Sequence, residues 1–169
     1  MISKYVSEQE AYKSPTAIRL GINNTPSSFQ KETIKQVSLG FFDKLRERIG
    51  SPLYISSMYR SPNLNKAVKG ASNSDHMLLG DVVAIDIDQD NKGRIPNSRV
   101  FDVIRKEFMF TKLIWEGGGS PYILTPEGVH AQSPDWVHVA YSTDPEKNKL
   151  RKVYRMVRQG YKVIYTIIK

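Results

Sequence analysis

A strand pattern occupies Val82-Val83-Ala84-Ile85-Asp86-Ile87-Asp88. Side chains alternate between the two faces of a strand, so this segment has one apolar face and one face that carries Ala84, Asp86 and Asp88. Aspartate is depleted in strands, and two aspartates on one face are more unusual still. The pattern predicts a strand that packs on the core with one face and lines a functional site with the other.

A second segment, Trp136-Val137-His138-Val139-Ala140-Tyr141, alternates in the same way and places His138 on the face away from the apolar positions. If the two strands are neighbours in one sheet, His138 and Asp86 converge, and His76 in the loop before the first strand completes a group of three. Two imidazoles and one carboxylate with an open fourth position are typical ligands of a catalytic zinc ion. The remaining histidine, His130, has no such context and is interpreted as structural or incidental.

Length and composition are those of an ordinary globular domain. The chain has 169 residues, of which 40% are hydrophobic and 25% charged, and we expect a single domain over residues 1–169. No apolar run approaches the ~18 residues of a membrane span, and the N-terminal residues lack the apolar core of a signal peptide. We therefore expect synthesis in the cytoplasm. Cysteine is absent, so a metal must be held by nitrogen and oxygen atoms.

The net charge of +8 and the pI of about 9.6 favour a polyanionic partner. An anionic cell wall is favoured over nucleic acid, because no recognised nucleic-acid-binding motif occurs. No coiled-coil heptads occur, and we expect a monomer. We interpret the late cations mostly as a solvated helix face; they are Lys147, Lys149, Arg151, Lys152, Arg155, Arg158, Lys162 and Lys169.

Hydrophobic periodicity predicts both helices and short strands. The predicted helices cover residues 30–48, 64–68, 97–108 and 147–157, and the predicted strands cover residues 53–57, 82–88, 112–116, 136–141 and 161–168. The first thirty residues are polar and turn-rich. Since helices and strands do not alternate regularly, we predict an α+β fold with a small, mainly antiparallel sheet flanked by helices.

Six segments, in a fixed order, carry a resemblance to a known family. They are residues 14–26, residues 57–70 with Tyr59-Arg60-Ser61, Ser74-Asp75-His76, Ala84-Ile85-Asp86-Ile87, Leu113-Ile114-Trp115-Glu116 and Asp135-Trp136-Val137-His138-Val139. They resemble the zinc D-alanyl-D-alanine carboxypeptidases and L-alanyl-D-glutamate endopeptidases that cut peptidoglycan stem peptides, including small phage enzymes. That family shares its fold with the signalling domain of hedgehog.

The resemblance implies roles for six residues. It implies Zn²⁺ on His76, Asp86 and His138, a general base at Asp135, a substrate carboxylate held by Arg60, and a substrate contact at Ser74. The implied chemistry is consistent with these residue types, because zinc lowers the pKa of a bound water to about 7. A nearby carboxylate takes the water proton and returns it to the leaving amine, and an arginine grips a carboxylate with two N–H donors.

The chain departs from the family pattern between its first two ligands. The family spaces them as His-x-x-Gly-x-Ala-x-Asp, whereas the interval from His76 to Gly80 is one residue longer and that from Gly80 to Ala84 two residues longer. Three explanations are open: the longer loop bulges outward and leaves the metal geometry intact, the ligand is Asp88 or Asp81, or the site is degenerate. We prefer Asp86, because Ala-Ile-Asp-Ile keeps the motif.

A second departure is Asp135, since many relatives carry glutamate at that position. The shorter side chain reaches less far, and Glu116 is the reserve base.

The function predicted from the sequence is a zinc-dependent peptidase that hydrolyses peptidoglycan stem peptides, endolysin-like and phage-related. It would act at the bacterial cell wall after release, or as part of a virion. The alternative is a non-catalytic phage virion or cell-wall-binding protein of the same fold. The sequence leaves open which peptide bond is cut.

Overall fold

The computed structural model describes residues 1–89, 94–118, 132–160 and 162–168. Six strands form one sheet in the order β1-β2-β4-β3-β5-β6. They are β1 (Ile55–Ser57), β2 (Val82–Ile87), β3 (Lys112–Glu116), β4 (Trp136–Ser142), β5 (Lys152–Gln159) and β6 (Lys162–Ile167). Only the β3–β5 pair is parallel among these strands. The predicted α+β class with a mainly antiparallel sheet is therefore confirmed.

Seven α-helices accompany the sheet in the described residues. They are α1 (Glu8–Tyr12), α2 (Pro15–Leu20), α3 (Ser28–Val37), α4 (Asp43–Ile49), α5 (Pro62–Ala67), α6 (Asn97–Glu107) and α7 (Pro145–Asn148). A π-helical segment, Ser38–Phe42, joins α3 to α4, and a 3-10 helix covers Asp75–Met77. None of the helices in the described part of the chain has the length and apolar character that a membrane crossing needs.

The core lies between one face of the sheet and the long helices. Trp115 of β3 is fully buried and meets Phe101 of α6 edge to face, with ring centroids 5.2 Å apart. Ile85 of β2 and Val139 of β4 are buried on the same side of the sheet as Trp115. Because this face is covered by helices, the polar groups of the opposite face are free to form a site.

The prediction of a helix over residues 147–157 is wrong. Helix α7 ends at Asn148, Arg151 has a φ of +44°, and β5 begins at Lys152 beside β3. The cations of this segment recur at helical spacing, but Val153 and Tyr154 favour a strand, and pairing with β3 determines the outcome. Four of the eight late cations therefore lie on an edge hairpin of the sheet, namely Lys152, Arg155, Arg158 and Lys162.

Two short helices were not predicted. Helices α1 and α2 lie in the segment that reads as polar and turn-rich, and each is capped by a serine, Ser7 and Ser14. Helices this short show too little periodicity for detection. His130 lies outside the described residues.

Candidate metal centre

Asp86 and His138 face each other across neighbouring strands. They are register partners in the antiparallel β2–β4 pair, so their side chains leave the sheet on the same face. Nδ1 of His138 lies 2.8 Å from Oδ1 of Asp86, and both side chains are buried. The predicted convergence of these two strands is confirmed.

His76 reaches the same carboxylate from the 3-10 helix. The Oγ of Ser74 accepts a hydrogen bond from the backbone N–H of His76 at 3.4 Å and so caps this short helix. Nδ1 of His76 lies 2.7 Å from the backbone oxygen of Met58. A carbonyl only accepts, so this nitrogen carries the proton and Nε2 presents a lone pair in the neutral ring.

Nε2 of His76 lies 3.1 Å from Oδ2 of Asp86. When the ring is neutral, the lone pair of Nε2 faces a lone pair of the carboxylate oxygen, and the two repel each other. A cation bound between them removes that repulsion. A metal-binding histidine usually donates its other N–H to a carbonyl or carboxylate, as the bond to Met58 does here. The local geometry of His76 is thus that of a metal ligand.

The donor set fits zinc. One ligand atom from each of His76, Asp86 and His138 lies within 4.8 Å of the others, and all three residues are buried. Two imidazole nitrogens and one carboxylate oxygen form a typical catalytic zinc site, which keeps a further position for water or substrate.

The electrostatics of Asp86 keep it ionised. Burial opposes its charge, but where the rings of His76 and His138 are protonated, their charges and hydrogen bonds outweigh burial and hold the pKa of the Asp86 carboxyl well below its usual range. A carboxylate that is charged throughout the physiological range is the anion that a divalent cation requires.

The longer loop between the first two ligands bulges into solvent. Leu78 adopts a φ of +49°, and the side chain of Leu79 is 71% exposed. Asp81 is directed away from the metal group, since it accepts hydrogen bonds from Ser142 and Lys147. Among the described residues, Asp86 rather than Asp81 or Asp88 belongs to the group that could hold a metal.

Arg60 supports Asp86 from the other side. Its Nη2 donates to Oδ2 of Asp86 at 2.8 Å, and its Nε donates to Oγ of Ser57 at 2.9 Å. A guanidinium has more N–H donors than these two bonds use. Arg60 and Ser74 both line the cleft above the metal group, and the resemblance implies a substrate contact for each.

Glu116 lies inside this cleft. Ile114 is the register partner of His138, and Glu116, two residues further along β3, shares its face. The residue is only 6% exposed and lines the cleft. Burial, and to a lesser extent the charge of Asp86, raises the pKa of its carboxyl to about 7, against an opposing effect of His138.

Asp135 lies elsewhere. It is exposed, it precedes β4, and it is not among the residues that line the cleft. Its backbone N–H donates to the backbone oxygen of Glu116 at 2.9 Å, and its carboxylate packs so closely on Gly117 that a Cβ there would lie 2.1 Å from Oδ2. The alignment of β4 with β3 places Glu116 in the cleft and Asp135 outside it. A single sequence does not reveal that alignment.

The cleft has a volume of about 830 Å³. Its floor is the face of the sheet opposite the core, with His138 and Glu116 on it. A volume of this size accommodates a peptide of several residues.

Comparison with known proteins agrees with this geometry. The family model Peptidase M15 matches residues 4–113, which is more than half of the chain. The match includes His76 and Asp86 and ends before Glu116 and His138. No curated protein matches the chain. The chain therefore belongs to the Peptidase M15 family and is a zinc metallopeptidase.

Proposed function

We propose that this metallopeptidase hydrolyses the stem peptides of bacterial peptidoglycan, in an endolysin-like and phage-related role. The observation that carries the proposal is the buried His76–Asp86–His138 group on the floor of a cleft that also contains Glu116. Stem peptides are rich in carboxylates, and the net charge of +8 favours contact with an anionic wall. The resemblance of six segments to stem-peptide peptidases adds to this support.

The ligands in this proposal are His76, Asp86 and His138. Zinc, when bound, activates a water molecule and polarises the peptide carbonyl. The hydrogen bond from Nδ1 of His76 to Met58 and that from Arg60 to Asp86 fix the orientation of two of the ligands. Such supporting bonds are commonly worth tenfold or more in metal affinity.

Glu116 is the general base in this proposal. It accepts the proton of the attacking water while the new C–O bond forms, and it returns that proton to the leaving nitrogen as the C–N bond breaks. In the metal-free protein, burial raises the pKa of this carboxyl to about 7, and a raised pKa favours a group that must both accept and return a proton near neutral pH. The sequence favoured Asp135 for this role, but an exposed carboxylate outside the cleft is less well placed than Glu116.

Arg60 has two roles in this proposal. It positions Asp86 through the bond at 2.8 Å, and its remaining N–H donors bind a substrate carboxylate. Ser74 holds the His76 helix through its side-chain oxygen and contacts the substrate at the cleft wall.

The test is a digestion of purified peptidoglycan with the zinc-loaded protein, with the protein plus chelator, and with zinc restored. Mass spectrometry of the released material identifies the new termini. Zinc-dependent release of stem-peptide fragments supports the proposal. A folded, zinc-loaded protein that releases nothing from walls of several bacteria contradicts it and favours the non-catalytic alternative.

A further inference from the structure

The floor of the cleft extends far beyond the metal group on one side. His138 lies on β4, and β3, β5 and β6 follow it across the sheet. Neighbouring strands are about 4.8 Å apart, so these three strands add about 14 Å of floor. The family match ends at residue 113, so the β5–β6 hairpin that forms the outer part of this floor lies outside it.

Register aligns a row of side chains from Glu116 to the sheet edge. Met156 is the partner of Glu116, and Tyr165 is the partner of Met156. All three side chains line the cleft. An apolar and aromatic surface therefore extends from the proposed general base across the β5–β6 hairpin.

A cationic side chain lies beside this surface, further along β5. Arg158 is two residues beyond Met156, is the register partner of Val163, and lines the cleft. Because Met156 is the partner of Glu116, Arg158 lies two residues along β5 from that position, and its charge acts against the larger effect of burial on the pKa of Glu116. Among the described residues, no carboxylate forms an ion pair with Arg158.

The other cationic side chains that line the cleft either form an ion pair or lie outside the β5–β6 hairpin. Arg60 is bonded to Asp86, and Lys112 is paired with Asp75 at 2.6 Å. Lys13 and Lys69 also line the cleft, but they follow helices α1 and α5 and do not belong to the hairpin. Arg158 is thus the cation of the hairpin side that is available to a ligand.

We propose that Arg158 binds a carboxylate of the peptide substrate, remote from the scissile bond and on the far side of the metal group from Arg60. The proposal rests on the proposed function. Strand spacing places Arg158 two strands and four residues from His138, about 16 Å between backbone positions. An extended peptide covers about 3.3 Å per residue, so this separation corresponds to at most about five residues between the carboxylate and the bond that is cut.

The experiment measures binding apart from catalysis. The Glu116→Gln protein serves as the background, and the probe is a synthetic stem pentapeptide that contains diaminopimelate. Three further versions of the peptide each carry one of its carboxylates as an amide. Calorimetry gives Kd for all four peptides with and without the added Arg158→Gln substitution.

We expect Arg158→Gln to raise Kd about tenfold for the parent peptide and less than twofold for one amidated version. The matched control is Lys152→Gln, which removes the same charge from the same face of β5 but lies outside the residues that line the cleft. This control should leave all four Kd values within twofold.

Three results overturn the proposal. They are an unchanged Kd in the Arg158→Gln protein, an equal loss for all four peptides, and no measurable binding of the parent peptide. Failure of the proposed function is seen separately, as absence of cleavage by the protein that retains Glu116.

Discussion

Nε2 of His76 lies 3.1 Å from Oδ2 of Asp86, although ten positions of the sequence separate the two residues. The three residues that exceed the family spacing are accommodated by the loop that turns at Leu78 and bulges into solvent at Leu79. Strand β2 then starts at Val82 in the register that places Asp86 opposite His138. The metal group thus depends on where the strand begins, and the length of the loop before it is of little consequence.

The two leucines of this loop should respond differently to truncation. Leu78 is 4% exposed and packs in the core, so Leu78→Ala should lower the free energy of unfolding by about 2–5 kcal/mol. The side chain of Leu79 is exposed, and Leu79→Ala should change stability by less than about 0.5 kcal/mol. Urea denaturation of both variants measures the difference. Equal losses would show that the loop does not bulge as described.

Removal of one ligand should abolish zinc binding and activity together. His138→Ala leaves only His76 and Asp86 of the group, and we expect tight zinc binding and hydrolysis to be lost because a zinc site of this kind needs three protein ligands. Metal analysis after dialysis and a peptide-cleavage assay give the two values. His130→Ala is the control, since its sequence context gives His130 no site role. Hydrolysis that persists in His138→Ala would eliminate the proposed ligand set.

The two candidate bases can be separated by isosteric substitutions. Glu116→Gln should lower kcat by about 10²–10⁴-fold, the usual contribution of a general base, and should retain zinc because Glu116 is not in the metal group. Asp135→Asn should lower kcat by much less, because Asp135 does not line the cleft. The opposite ranking, at equal zinc content, would restore Asp135 as the base.

Glu116 should also make the stability of the metal-free protein depend on pH. Its pKa rises from an ordinary value of 4.5 to about 7 on folding, so between these values the folded state holds a proton that the unfolded state has lost. Stability therefore falls as the pH rises from 4.5 to 7, by about 3 kcal/mol in all. Asp86, whose pKa is lowered, changes its charge at lower pH and leaves this range undisturbed.

The measurement is urea denaturation in chelator at pH 4.5 and pH 7.5, for the unsubstituted protein and for Glu116→Gln. The glutamine cannot ionise, so the unsubstituted protein should lose about 3 kcal/mol relative to the variant over this interval. A constant difference between the two proteins would mean that Glu116 ionises as readily in the folded state as in the unfolded one.

The elements with strong alternation or helical periodicity were predictable from the sequence. Strands β2 and β4 and helix α6 begin within one residue of their predicted starts. Strand β5 could not be predicted, because its cations recur at the spacing of a helix and its pairing with β3 is parallel and non-local. Such pairing depends on residues far away in the sequence, which local patterns do not report.

The metal group was predictable because its prediction rests only on the alternation of side chains along two strands and on the scarcity of histidine in the chain. The choice between Glu116 and Asp135 as the general base could not be predicted, because it depends on how β3 is aligned with β4. Once Ile114 is known to face His138, the position of Glu116 follows from alternation alone. A sequence motif identifies which residue types are present, and the register decides which of them meet.

The interior strands of the sheet carry metal ligands, and its edge strands carry the outer part of the cleft. Two of the three residues of the metal group, Asp86 and His138, lie on β2 and β4, which have partners on both sides, whereas in the described sheet β6 has a partner only on one side and its side chains are exposed. Edge hairpins open at a lower free energy than interior strands, and substitutions in them disturb a fold less. Exchange of the β5–β6 hairpin is therefore a practical route to redesigned peptide selectivity that leaves the metal affinity intact.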